Sequence, residues 1–188
     1  MVLESRASRG EMKIILVGVL AMLLGACASP ARVSQMTVSG SEFVVKEPVS
    51  KQLKNNISLM TVSGGESTNP MWTSEIGNEQ FKIAIEKSLM SAKLLNALPA
   101  SADFHLEVNL TEVQQPVFGL DFTVTASVEY QLTNSKTGSI IFKEKITRPY
   151  TATLKDAFMG VERLRLANEG AAKVNIEEFI KRLYLLKI

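Results

Sequence analysis

The chain has 188 residues, of which 46% are hydrophobic, and 21 basic residues nearly balance 19 acidic ones. That balance lacks the basic excess typical of nucleic-acid binding, so we expect no nucleic-acid partner. Cys27 is the only cysteine, which excludes an internal disulfide.

A short apolar run, Ile14 to Leu24, follows Lys13 near the start of the chain. It has the length of the hydrophobic region of a signal peptide and is too short to span a bilayer. The sequence Leu24-Gly25-Ala26-Cys27 at its end is typical of a bacterial lipobox. We therefore predict that residues 1–26 are a lipoprotein signal peptide; the alternative is a buried cysteine that follows a core helix.

Cleavage before Cys27 would leave a cysteine that carries diacylglycerol on its sulfur and an acyl chain, such as palmitate, on its amine. We expect these lipids to be the membrane anchor, and we expect no other cofactor. Ala28, in place of aspartate, resembles an outer-membrane sorting signal, so the predicted location is the periplasmic face of the outer membrane. Translation can start at Met1 or Met12 with the same mature product.

Three segments follow from composition. Residues 1–26 are the signal peptide, and residues 27–41, mainly small or polar after the cysteine, are predicted to be the lipidated cysteine and a flexible tether. Residues 42–188 are long enough for a single periplasmic domain.

Hydrophobic periodicity predicts a strand, a helix, three strands and a final helix. The predicted bounds are Ile57–Val62, about 74–95, 104–111, 120–132, 140–147 and about 157–185. Phe81, Ile85 and Leu89 form the apolar stripe of the first helix. We expect an α+β fold, a two-layer sandwich in which an antiparallel sheet of about four strands has one face covered by two helices.

The final helix offers charged pairs at i,i+4 spacing, among them Glu169 with Lys173 and Glu178 with Arg182. These pairs predict its solvated side.

Residues suited to catalysis are scarce. His105 is the only histidine, and lipidation would consume the thiol of Cys27. The remaining carboxylates are scattered, so neither a metal site nor a nucleophile with its base is predicted. His105 is expected to be a surface residue, with general base as the alternative.

Five side chains are candidates for contact with a partner. Trp72 could stack on a ligand or pack the entry of the first helix. Val117 and Phe118, between Pro116 and Gly119, could form an exposed apolar contact or fold back over the core. Arg163 and Arg165 could bind a ligand, pair with Glu162 or Glu169, or hold the preceding loop.

The segments at 72–81, 115–121 and 157–169 resemble a family of small, uncharacterised Gram-negative outer-membrane lipoproteins. The order of elements is also similar to that of YajG-type lipoproteins and of the lipopolysaccharide-assembly lipoprotein that plugs an outer-membrane barrel. Some relatives carry the label UDP-N-acetylglucosamine acyltransferase. Acyltransferases of that name have hexapeptide repeats and a catalytic histidine, and this sequence lacks those repeats.

Two functions are therefore expected from the sequence. The first is a membrane-anchored, non-catalytic binding or assembly module of the cell envelope, with an envelope protein or a glycolipid as partner. The alternative is an envelope enzyme that acts on sugar or acyl substrates, with His105 as its base.

Overall fold

A computed structural model describes residues 28–42, 49–68 and 74–188. The predicted lipobox Leu24-Gly25-Ala26, the predicted lipidation site Cys27 and the candidate contact Trp72 lie outside the described residues. The strands are β1 (Ile57–Ser63), β2 (Phe104–Gln114), β3 (Phe122–Asn134) and β4 (Ile140–Ala152). The α-helices are α1 (Val33–Met36), α2 (Asn78–Ser91) and α3 (Gly160–Leu185), with 3-10 turns at Gly40–Glu42 and Pro99–Ser101.

The strands form one four-stranded sheet in the order β1-β2-β3-β4. The α+β class is confirmed, but the sheet is mixed, because β1 runs parallel to β2 while β3 is antiparallel to both β2 and β4. The expectation of an antiparallel sheet was wrong for β1. Helix α2 carries the chain from the end of β1 back to the level where β2 starts, and such a crossover joins strands of the same direction.

Side-chain alternation along β3 gives the sheet one buried and one open face. Val124, Val128 and Tyr130 are buried, whereas Thr123 is exposed and Thr125 half-buried. Helices α2 and α3 cover the buried face. The predicted stripe Phe81, Ile85 and Leu89 lies in this core, and the ring of Phe179 on α3 stacks on Tyr130 at 4.0 Å between centroids.

Residues 28–42 pack on the helices, which differs from the flexible tether predicted over 27–41. Ala31, Met36 and Val38 are buried in the core cluster. The Val38 amide donates to Ser88 Oγ on α2 at 2.9 Å. A few well-placed apolar side chains therefore hold a segment whose overall composition is that of a linker.

The sheet has two ends with different connections. At the loop end, β2 and β4 finish, β3 and α3 begin, and loops 115–121 and 153–159 join them. At the hairpin end, a turn over residues 135–139 joins β3 to β4, and the Asn134 side chain accepts the amides of Lys136 and Thr137. This turn lies between the strands predicted over 120–132 and 140–147.

Candidate functional site

Loop 115–121 exposes apolar side chains at the loop end. Val117 is 93% exposed, Phe118 is 87% exposed and Leu120 is 72% exposed. Phe118 therefore does not fold back over the core. Leu120 was predicted to be the first residue of the strand over 120–132, but β3 begins only at Phe122. Gly119 has φ +149°, a conformation that other residues rarely adopt, and it turns the chain into β3.

Loop 153–159 exposes a second set of apolar side chains, next to those of loop 115–121. Phe158 is 90% exposed, and Leu154 and Met159 are exposed as well. Asp156 accepts the Thr153 amide at 2.7 Å. This bond and a second one from the Thr153 hydroxyl hold the pKa of Asp156 below its usual value. Phe158 escaped the sequence analysis because the final helix was expected to begin at about Ala157, whereas it begins at Gly160.

We call these side chains the apolar rim: Val117, Phe118, Leu120, Leu154, Phe158 and Met159. An open groove of about 450 Å³ lies between loop 115–121 and the start of α3. Pro116, Phe122 and Leu164 are among its lining residues. The rim and groove together form the apolar surface of the loop end.

Arg163 holds loop 153–159 beside the start of β3. It is 5% exposed, and its Nη1 donates to the carbonyls of Ala157 at 2.9 Å and Phe158 at 2.6 Å. Its guanidinium carbon lies 5.1 Å from the centroid of the Phe122 ring. Arg163 thus holds the preceding loop, one of the roles that the sequence allowed, and is too buried to be a surface contact for a partner.

A network of buried polar groups joins the rim to the N-terminal segment. Asn168 Nδ2 on α3 donates to the Ser74 carbonyl at 2.7 Å, and Gln115 Nε2 donates to the same oxygen at 3.1 Å. The Ser74 hydroxyl donates to the Ser29 carbonyl at 2.7 Å. Because Ser74 and Asn168 are both fully buried, these bonds fix the base of loop 115–121 against residue 29.

A second connection to the N-terminal segment is the pair Arg32–Glu169. Glu169 is 1% exposed and accepts the Arg32 amide at 2.7 Å, Nε at 2.9 Å and Nη2 at 2.8 Å. The hydrogen bond to Glu169 raises the pKa of Arg32. Glu169 is therefore buried rather than paired with Lys173, which contacts Glu42 at 2.7 Å instead.

Arg165 donates to Glu162, a pairing that the sequence allowed. Its Nε also lies 3.9 Å from Glu169 Oε1. The Arg165 side chain is 17% exposed, so little of it is open to a partner.

The open face of the sheet carries the only histidine. His105 lies across from Thr133 on β3 and beside Ser58 on β1. Within residues 28–42, 49–68 and 74–188, no three metal-binding side chains come together. None of the helices in these segments is long and apolar enough to cross a membrane.

Comparisons by sequence give nothing, since no family model and no curated protein matches the chain significantly. Solved structures do match. A Xanthomonas campestris protein of family DUF330 aligns with TM-score 0.54 and 8% identity over 76% of this chain and 93% of its own. A hypothetical protein from Chlamydia trachomatis aligns with TM-score 0.52 and 14% identity over 71% and 97%. A predicted lipoprotein from Caulobacter crescentus reaches TM-score 0.48 and 15% identity over 71% and 90%.

At these identities the two better matches establish a shared fold, and a shared fold does not carry function. These matches test neither the likeness to YajG-type lipoproteins nor the acyltransferase label, and both stay predictions.

Proposed function

We propose that this chain is a lipid-anchored, non-catalytic binding or assembly module of the bacterial cell envelope, located on the periplasmic face of the outer membrane. The observation that carries the proposal is the apolar rim, which stands at the same end of the domain as Ala28, the residue after the predicted lipidation site. The rim exposes the large apolar surface that interaction sites commonly use.

The packing of residues 28–42 supports a short connection to the membrane. Ala28 is itself buried, and Ser29 is bonded to Ser74. Two peptide units separate Cys27 from Ser29 and span at most about 7 Å. A lipid on Cys27 would therefore hold the loop end close to the membrane, with no long tether between them.

The anchor is tested in cells with globomycin, which blocks the peptidase that cuts before a lipidated cysteine. We expect an unprocessed precursor to accumulate, and we expect the processed protein to sediment with outer-membrane density without the drug. Cys27→Ala is the matched control, since it should be neither lipidated nor affected by the drug. Processing that is indifferent to both changes would contradict the anchor.

The binding surface is tested by in-cell photocrosslinking. A photoreactive amino acid replaces Phe118 on the rim or, as control, Ile140 at the hairpin end, which is also apolar and exposed. We expect an adduct with an envelope component from position 118 and none from position 140, identified by mass spectrometry. Equal adducts from both positions, or none from position 118, would contradict a role for the rim.

The enzymatic alternative finds no observation in its favour. The neighbours of His105 across the sheet are Ser58 and Thr133, and neither is a charged partner that would activate a general base. Turnover of UDP-N-acetylglucosamine with an acyl carrier donor, lost in His105→Ala, would overturn the non-catalytic proposal.

A further inference from the structure

We infer that the apolar rim enters the acyl region of the same membrane leaflet that holds the lipids of Cys27, so that the domain is fixed to the membrane at two points. This inference rests on the proposed anchor and names the partner of the rim as phospholipid. It commits to a lipid surface rather than to a protein partner.

The rim lies close to the N-terminal segment. Gln115, which begins the rim loop, shares the Ser74 carbonyl with Asn168, and the hydroxyl of Ser74 holds the carbonyl of Ser29. The chain outside the described N-terminal segment thus joins it at the base of the rim. Lipids on Cys27 would therefore extend from the protein at the base of the rim, and the membrane into which they insert would lie within reach of both loops.

Rigidity is the second argument. Loops that were mobile could turn away from the membrane, but Arg163 bonds the carbonyls of Ala157 and Phe158, and Gln115 also donates to Asn168 at 3.2 Å. These contacts fix the backbone at Phe158 and at Gln115, close to Phe118, while the side chains of Phe118 and Phe158 stay largely exposed. Burying two such side chains in lipid removes this apolar surface from water.

Charge sets the depth. Asp121 lies at the base of loop 115–121, and Lys155 and Asp156 lie within loop 153–159, between Leu154 and Phe158; all three are exposed. Charged groups stay at the headgroup level, so the rim should reach only the outer part of the acyl region, as interfacial segments do. The groove beside Pro116 and Leu164 offers room for part of an acyl chain at this depth.

The test uses the full-length, cell-lipidated protein in vesicles of phosphatidylethanolamine and phosphatidylglycerol. Lipidation leaves no free thiol, so Phe118→Cys, Phe158→Cys and the control Ile140→Cys each carry one environment-sensitive fluorophore. Quenching is measured with aqueous iodide and with lipids that bear a spin label near the headgroup or near the chain end. Flotation and the mass of the N-terminal peptide report the anchor separately.

We expect the labels at positions 118 and 158 to lose iodide quenching and to be quenched by lipid, more by the shallow spin label than by the deep one. The label at position 140 should be quenched by iodide alone. If lipidated, floating protein leaves all three labels open to iodide, the rim does not enter the membrane and the anchor stands. Rim labels shielded from iodide without lipid quenching indicate a protein cover and overturn the inference.

The remaining outcomes separate the two proposals. Protein that carries no lipid keeps the Cys27 thiol, so the same labels are then placed in a Cys27→Ala background; lipid quenching at positions 118 and 158 there would refute the anchor and retain rim insertion. Protein that carries no lipid and shows no lipid quenching would refute both.

Discussion

Removal of the Arg32 side chain tests whether residues 28–42 belong to the folded domain. Arg32→Ala deletes two of the three hydrogen bonds that Glu169 accepts from Arg32. The carboxylate that remains is 1% exposed, and Arg165 Nε lies 3.9 Å from it. The substitution therefore leaves a buried charge short of partners.

The magnitude follows from that burial. Breaking a fully buried ion pair costs about 3–5 kcal/mol, and a hydrogen bond to a charged group contributes about 1.5–3 kcal/mol. The Arg32 side chain is 40% exposed, so water screens part of the interaction and can replace part of it. We expect Arg32→Ala to lower the free energy of unfolding by about 2 kcal/mol.

Urea denaturation of the chain beginning at Ala28, which carries every described element, measures this loss. Glu169→Gln is the partner variant and Arg32→Ala/Glu169→Gln closes the double-mutant cycle. The double variant should cost clearly less than the sum of the two single variants, because it leaves no buried charge. A loss from Arg32→Ala within about 0.5 kcal/mol, as for an exposed surface pair, would refute the packing of the N-terminal segment.

Four further results are expected from variants of the same chain. Val124→Asp places a carboxylate in the core and should cost several kcal/mol, whereas Thr125→Asp on the other face should cost no more than about 1 kcal/mol; equal thermal melts would mean that both faces of the sheet are covered. Gly170→Ala brings a Cβ to 2.2 Å from the Tyr150 ring and should therefore destabilise the domain. In a Tyr150→Ala background the same change should stabilise it by up to about 1 kcal/mol through helix propensity, and stabilisation in both backgrounds would contradict the ring contact. Asn175→Ala leaves the buried Tyr130 hydroxyl and the carbonyls of Ala126 and Ile146 without this partner and should cost about 2–3 kcal/mol, against about 1 kcal/mol for Tyr130→Phe. The hydrogen bond from Arg148 lowers the pKa of Glu178. The stabilisation that Glu178 contributes is therefore present above its unfolded pKa of about 4.3 and is lost as pH falls through the folded pKa. Glu178→Gln should flatten the fall in unfolding free energy at acid pH, and an unchanged slope would show that Glu178 does not contribute to it.

Strand prediction succeeded where the signal is local. Phe104, Leu106 and Val108 alternate with polar residues, and that alternation fixes both the strand and its buried face from neighbouring residues alone. The helical stripe Phe81, Ile85 and Leu89 is equally local. The direction of β1 relative to β2 could have been inferred from the intervening helix, because a strand–helix–strand unit favours parallel pairing.

The buried polar residues of α3 show what pattern alone could not give. Glu169 and Asn175 look like residues of a solvated helix face, but each is buried against groups far away in the sequence. Glu169 meets Arg32, 137 residues earlier, and Asn175 meets Tyr130, 45 residues earlier. Burial of a polar side chain is tolerated only when such partners arrive, and periodicity along one helix contains no information about them.

Polar residues of α3 also determine the position of the apolar rim. Asn168 bonds Gln115 at the base of loop 115–121, and Arg163 bonds the carbonyls of Ala157 and Phe158 in loop 153–159. Phe118 and Phe158 lie at or beyond these anchored positions, and both face outward. Exposure of Phe118 and Phe158 is therefore built into the packing, and a surface next to the predicted lipidation site is where such exposure would be covered by membrane rather than left in water.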